Sequence, residues 1–124
     1  MRQQQYQTCI EACNDCAAAC DHCAATCLQE PDVASLAHCI AIDTDCAQVC
    51  RACVGLMQRG SKLASRLCEA CAEICEACAD ECGQHAHEHC KDCAIACRRC
   101  ASECRNMAGM VQSQVRAAGV PARH

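Results

Sequence analysis

The sequence predicts an all-α fold, an antiparallel up-down-up-down four-helix bundle with a cysteine-lined core, on three observations. Cysteines recur only at helical spacing, the residues between them favour helix, and the breaks in the pattern carry turn residues. Twenty of the 124 residues are cysteine, about one in six. They form four runs: Cys9, Cys13, Cys16, Cys20, Cys23 and Cys27; Cys39, Cys46, Cys50 and Cys53; Cys68, Cys71, Cys75, Cys78 and Cys82; and Cys90, Cys93, Cys97, Cys100 and Cys104. Of the 16 gaps within runs, seven are of three residues, eight of four and one of seven. Steps of three and four align side chains along one helical stripe, the a and d positions of a heptad. A strand would need steps of two.

The elements follow in order. The first helix covers 3–29, and Pro31, which lacks an N–H, cannot continue it. Asp32 stands where it would cap the second helix, 33–58. In Arg59-Gly60-Ser61 the glycine suits the position just past a helix end, and Ser61 the cap of the third helix, 62–82. Gly83 divides the third helix from the fourth, 86–107. Ala, Glu, Gln and Arg between the cysteines are strong helix formers. Short links favour antiparallel neighbours, so 1–107 forms one bundle, followed by a partly helical or frayed tail over 108–124. Extending the register adds the inward positions Leu36, Asp43, Met57, Ala64, His85, Ala86, Met107 and Val111. Asp43 occupies a place where the repeat would have put a cysteine.

Composition narrows the function. There are 16 Ile, Val and Leu residues, no Phe or Trp and one Tyr, so Ala (24) and Cys must fill the interior. The net charge of −4 is spread with both signs mixed, which gives no basic face for nucleic acid. No apolar run approaches the ~20 residues that cross a bilayer. The N-terminus carries no apolar export segment and no twin arginine, so the expected compartment is the cytoplasm, where thiols stay reduced. A secreted disulfide scaffold would be rich in loops, and this chain is not.

Cores are ordinarily built from Leu, Ile and Val, which bury more area at about 25 cal/mol per Å². A stripe of oxidisable thiols on every helix therefore points to chemistry, and thiolates bind soft metals. Charge separates the candidates. Five tetrahedral Zn(II) ions shared among twenty thiolates would leave a buried charge of about −10. Multiple Cu(I) ions, about one per cysteine, bridged by shared thiolates, sum to about zero. A buried residual charge costs several kcal/mol per ion. The neutral filling is favoured. Empty, the thiols keep their protons and the bundle should still fold.

The alternatives fit less well. A zinc or general soft-metal buffer resembling metallothionein would use Cys-x-Cys, which is missing. An enzyme is not expected. No glutamate is followed three residues later by the histidine of a di-iron bundle, and no βαβ pattern accompanies a Cys-x-x-Cys pair.

The four runs, together with Cys82-Gly83-Gln84-His85-Ala86-His87-Glu88-His89-Cys90, resemble the four-helix-bundle copper storage protein family, its cytosolic branch in particular. The resemblance spans about Cys9 to Cys104. It implies a homotetramer of bundles filled with Cu(I) in a bacterial cytosol, and the chain departs from a uniform pattern in carrying four cysteines on its second helix. The copper chaperone or recipient is left open by these residues. An up-down bundle gathers Cys27, Cys39, Cys82, His85, His87, His89 and Cys90 at one end, and Tyr6, Cys9, Leu56, Met57, Leu63, Leu67, Met107 and Met110 at the other. Copper is expected to enter at the histidine end, with Asp43 a turn inside as a ligand or an acceptor of a thiol proton. His85, His87 and His89 are candidate ligands beside the twenty cysteines. His22 and His38 fall outward.

Overall fold

A computed structural model describes residues 2–117, with side chains over 6–109. Four antiparallel helices make a bundle: α1 (Arg2–Cys27), α2 (Ala37–Gln58), α3 (Ala64–Gly83) and α4 (Glu88–Ala117), with a 3₁₀ turn at Val33–Leu36 before α2. Each helix packs against its chain neighbour, and α4 closes the ring on α1. No strand is present among the described residues. The predicted bundle is what forms.

The helix ends show where local chemistry decides. α1 leaves through tightened bonds from the Gln29 and Glu30 N–H groups to Thr26 and Cys27, ahead of Pro31, which disfavours a helical residue before it. Asp32 caps nothing: its side chain makes no bond to the helix start and turns to His87 and Ser35. The expected cap fails because 33–36 winds as 3₁₀ and α2 begins at Ala37. Gly60 does take the left-handed conformation, at φ 66°. Its N–H bonds Met57 O and the Ser61 N–H bonds Leu56 O, the paired bonds of a Schellman end. Ser61 Oγ accepts from the Leu63 N–H at 3.1 Å, so α3 starts later than expected, at Ala64. The tail continues α4 as helix through Ala117, and 118–124 lie outside the described residues.

The interior is cysteine and alanine. All twenty cysteines are buried, with Ala12, Ala17, Ala47, Ala72, Ala79, Ala94 and Ala101 filling between them. Such small side chains bury less apolar area than leucine would, so the core gives up hydrophobic stabilisation to keep its thiols. Larger residues sit toward the ends of the stripes: Leu36, Met57 and Met107 are buried. Tyr6, Leu56 and Leu67 pack against the core at the end opposite the histidines. Leu63, expected there too, is 57% exposed because the turn at 61–63 carries it off the helix. Ala86 is likewise exposed, since α4 begins only at Glu88 and the register does not extend back through the link. Ala64 and Asp43 face inward as expected, while His22 and His38 are exposed. The side chains of Met110 and Val111 lie outside the described residues. Surface ion pairs Arg51–Asp21, Arg99–Asp15 and Arg105–Glu76 each join adjacent helices.

Candidate metal centre

Steps of three and four turn each cysteine stripe toward the bundle axis, and four stripes together make a column of sulfur. All twenty thiols are free. Contacts of 3.3–4.0 Å between Sγ atoms run without a break from Cys9 and Cys104 at one end to Cys27 and Cys90 at the other. Pairs form along a helix, as Cys71 with Cys75 at 3.8 Å, and between helices, as Cys46 with Cys75 at 3.6 Å. Several quartets of sulfurs lie within 4.8 Å of one another, among them Cys13–Cys71–Cys100–Cys104 and Cys16–Cys46–Cys50–Cys75. Cys16, for example, meets sulfurs of all three other helices, which is what bridging ligation of a soft cation requires.

At the histidine end of the column burial disfavours the charged thiolate. Burial pushes the Cys90 thiol up to about 12 and raises Cys39 as well, because a thiolate loses its hydration there. A neutral thiol packs as a small hydrophobe.

Asp43 is the one buried charged residue among the described positions, at 0% exposure. Its Oδ1 accepts from the thiols of Cys78 (3.2 Å), Cys82 (3.3 Å) and Cys93 (3.2 Å), and its Oδ2 from Cys39 (3.7 Å). Burial pushes its carboxyl up to about 7, and the neighbouring Cys93 adds to the rise. A carboxyl with that affinity sits between its two protonation states at neutral pH, within reach of four thiol protons.

Three histidines cluster at the Cys27–Cys90 end, with different partners. His89 is 10% exposed; its Nδ1 lies 3.6 Å from Cys90 Sγ and 3.9 Å from Cys27 Sγ, while its Nε2 is held by Glu30 at 2.8 Å. His87 stacks on it with ring centroids 5.2 Å apart, and has Glu30 on one nitrogen and Asp32 on the other, each at 3.1 Å. His87 in turn holds the Asp32 carboxyl below its ordinary range. His85 pairs with Glu81 at 2.8 Å, one turn back on α3. His89 is therefore the ring that meets the thiols, whereas His85 and His87 face carboxylates. From sequence Glu30 and Glu81 carry no assigned role, and Asp32 only that of a helix cap. Glu81 had a signal, standing four residues before His85; Glu30 and Asp32 reach histidines more than fifty positions away and had none.

With this geometry in view, comparison with known proteins is informative. The family model described as "Copper storage protein" matches residues 2–109. An uncharacterized cysteine-rich protein of Bacillus subtilis, YhjQ, is 48% identical over 70 residues, which cover 56% of this chain and 65% of that protein. The Cu(I)-bound copper storage protein BsCsp3 superposes with a TM-score of 0.81 at 48% identity, covering 84% of this chain and 98% of that one. A cytosolic copper storage protein from Streptomyces lividans, in a copper-loading structure with five coppers, gives a TM-score of 0.84 at 42% identity, over 87% and 95% of the two chains.

Proposed function

Because the chain belongs to the copper storage protein family, we propose that it stores copper as many Cu(I) ions, about one per cysteine, held by bridging thiolates inside the bundle. The continuous run of buried free thiols carries this reading. One monovalent cation per thiolate balances charge along the column, whereas divalent ions at every quartet would leave buried negative charge. Bridging also suits the geometry: Cys50 has sulfur partners at 3.6–3.9 Å on α3 and α4.

Loading exchanges protons for copper. Each thiol that becomes a ligand loses its proton, and Asp43 accepts the first of them from Cys39, Cys78, Cys82 or Cys93, to which it is already bonded. Copper enters at the histidine end. There His89 offers Nδ1 beside Cys27 and Cys90, and His87 and His85 help hold the carboxylates that surround the mouth. The twenty cysteines are the storage ligands, with Asp43 and the histidines acting on the first ions to arrive. The chain acts as a store and not as a catalyst, works in the cytoplasm, as its Streptomyces lividans relative described as cytosolic does, and assembles as a homotetramer, as the family resemblance of the sequence implies.

The test is the metal content of protein purified anaerobically after growth with copper and zinc both supplied. Copper approaching one ion per cysteine is the expected result. A chain filled with zinc at about five ions would contradict it.

A further inference from the structure

One sulfur quartet differs from the rest. Cys23 and Cys27 of α1, Cys39 of α2 and Cys90 of α4 lie at the histidine end, all within 4.8 Å of one another. Five of the six edges are fixed by direct contacts: Cys23–Cys27 at 3.9 Å, Cys23–Cys39 at 4.0 Å, Cys23–Cys90 at 3.7 Å, Cys27–Cys90 at 3.8 Å and Cys39–Cys90 at 4.0 Å. Zinc bonds thiolate sulfur at about 2.3 Å, so a regular tetrahedron around it has edges of about 3.8 Å. Five edges of the quartet match that length to within a few tenths of an ångström, and the sixth, Cys27–Cys39, lies within 4.8 Å.

We infer that Cys23, Cys27, Cys39 and Cys90 form a preorganised tetrahedral site for a single divalent thiophilic cation such as Zn(II), and that an ion there stoppers the column. An imidazole against its sulfurs sets this quartet apart from the deeper ones. A divalent ion on four thiolates keeps two negative charges, which need a neighbour to offset them. Here His89 lies against two of the four sulfurs, with its far nitrogen held by Glu30, the arrangement in which an outer ring orients and supports a metal's ligands. Among the described residues no other imidazole has a recorded bond to a thiol. The quartet Cys20–Cys78–Cys93–Cys97 comes near in spacing, at 3.7–3.9 Å over four edges. Two of its members, however, donate hydrogen bonds to Asp43, and no imidazole of the described residues lies against any of its sulfurs. Asp43 reaches the mouth quartet too, through Cys39 at 3.7 Å and through Cys23, so the imidazole and not Asp43 distinguishes it. The stopper role rests on copper entering at this end, as proposed above; the site itself does not.

The test uses the full chain, empty and anaerobic, titrated with Co(II) alone and then with Zn(II) alone. The expected result is a break at one equivalent per chain, with the intense visible bands of tetrahedral thiolate cobalt that zinc then abolishes. Cys27→Ser should weaken that first equivalent by at least about a hundredfold and His89→Ala by about tenfold, an outer-shell loss, while Cys13→Ser at the far end leaves it unchanged. Initial Cu(I) uptake by the chain carrying one zinc should slow by about tenfold or more, because departure of zinc becomes the slow step. Absence of a break at one equivalent overturns the site, even if a variant fails to fold, and so does a break that Cys27→Ser leaves intact. Unchanged copper uptake overturns the stopper role. Full copper capacity without the cobalt break removes this site and leaves storage standing; the break with low copper capacity does the reverse.

Discussion

At one end of the bundle, His85, His87 and His89 stand among Glu30, Asp32 and Glu81 around the last thiols; at the other, Met57 and Met107 are buried in the core with Tyr6, Leu56 and Leu67 packed against it. The same sulfur column thus meets water through exchangeable, hydrogen-bonded polar groups on one side and is closed by thioethers and aliphatic carbon on the other. An ion leaving water needs donors that replace its hydration stepwise, and imidazole beside thiol supplies them. A closed end needs only to exclude water, which apolar packing does without directional partners. With one end closed, the proposed entry of copper at the polar end makes that end the route out as well.

This contrast can be attacked at either end. The largest effect is expected from breaking the seal. Met107, 2% exposed, should cost about 2–5 kcal/mol when replaced by alanine, the range for a buried large-to-small change; urea unfolding of the empty protein measures it, and a near-zero cost would mean that end is already open.

Asp43 gives a second handle of comparable size. Its folded carboxyl, at about 7, lies above the ordinary value of 3.8. The folded state therefore binds this proton more tightly than the unfolded chain does. Stability is greatest below pH 4 and falls as pH rises toward 7, by on the order of 4 kcal/mol in total. Unfolding of the empty protein from pH 4 to 8 should show that slope, and Asp43→Asn should flatten it.

Third, His89→Ala should slow initial Cu(I) uptake by about tenfold, equivalent to about 1.4 kcal/mol of barrier, with capacity little changed. Stopped-flow mixing with a Cu(I) donor reads the rate, and Met57→Ala should leave it as it was. Equal slowing by both would erase the distinction between the ends. The smallest effect belongs to the turn on the closed side. Gly60→Ala, at φ 66° with open space around the added carbon, should cost about 1–2 kcal/mol of backbone strain and leave uptake untouched.

How much of this was legible in the sequence differs between the stripes and their ends. The four helices and the inward set from Cys9 to Cys104, Asp43 included, follow from spacing alone, because a period of three and four admits one geometry. The links do not obey that period. Residues 84–87 are not helical, so a register extended through them points His85 and Ala86 inward, whereas the chain turns His85 onto Glu81 and exposes Ala86. His89 meets Cys27 because α1 and α4 are neighbours across the ring, and its clamp by Glu30 depends on where the Pro31 turn carries that carboxylate. Ser61 and Asp32 carry ordinary capping side chains, yet each spends its oxygen on another donor, a choice made by the turn and not by residue type.

The column is proposed to fill with monovalent copper until thiolate charge is balanced. Anaerobic titration of the empty chain with Cu(I), in the presence of a competing chelator, tests it most directly. A plateau near one ion per cysteine is the result this account predicts; a plateau near five ions per chain, the number tetrahedral four-sulfur sites would hold, would contradict it.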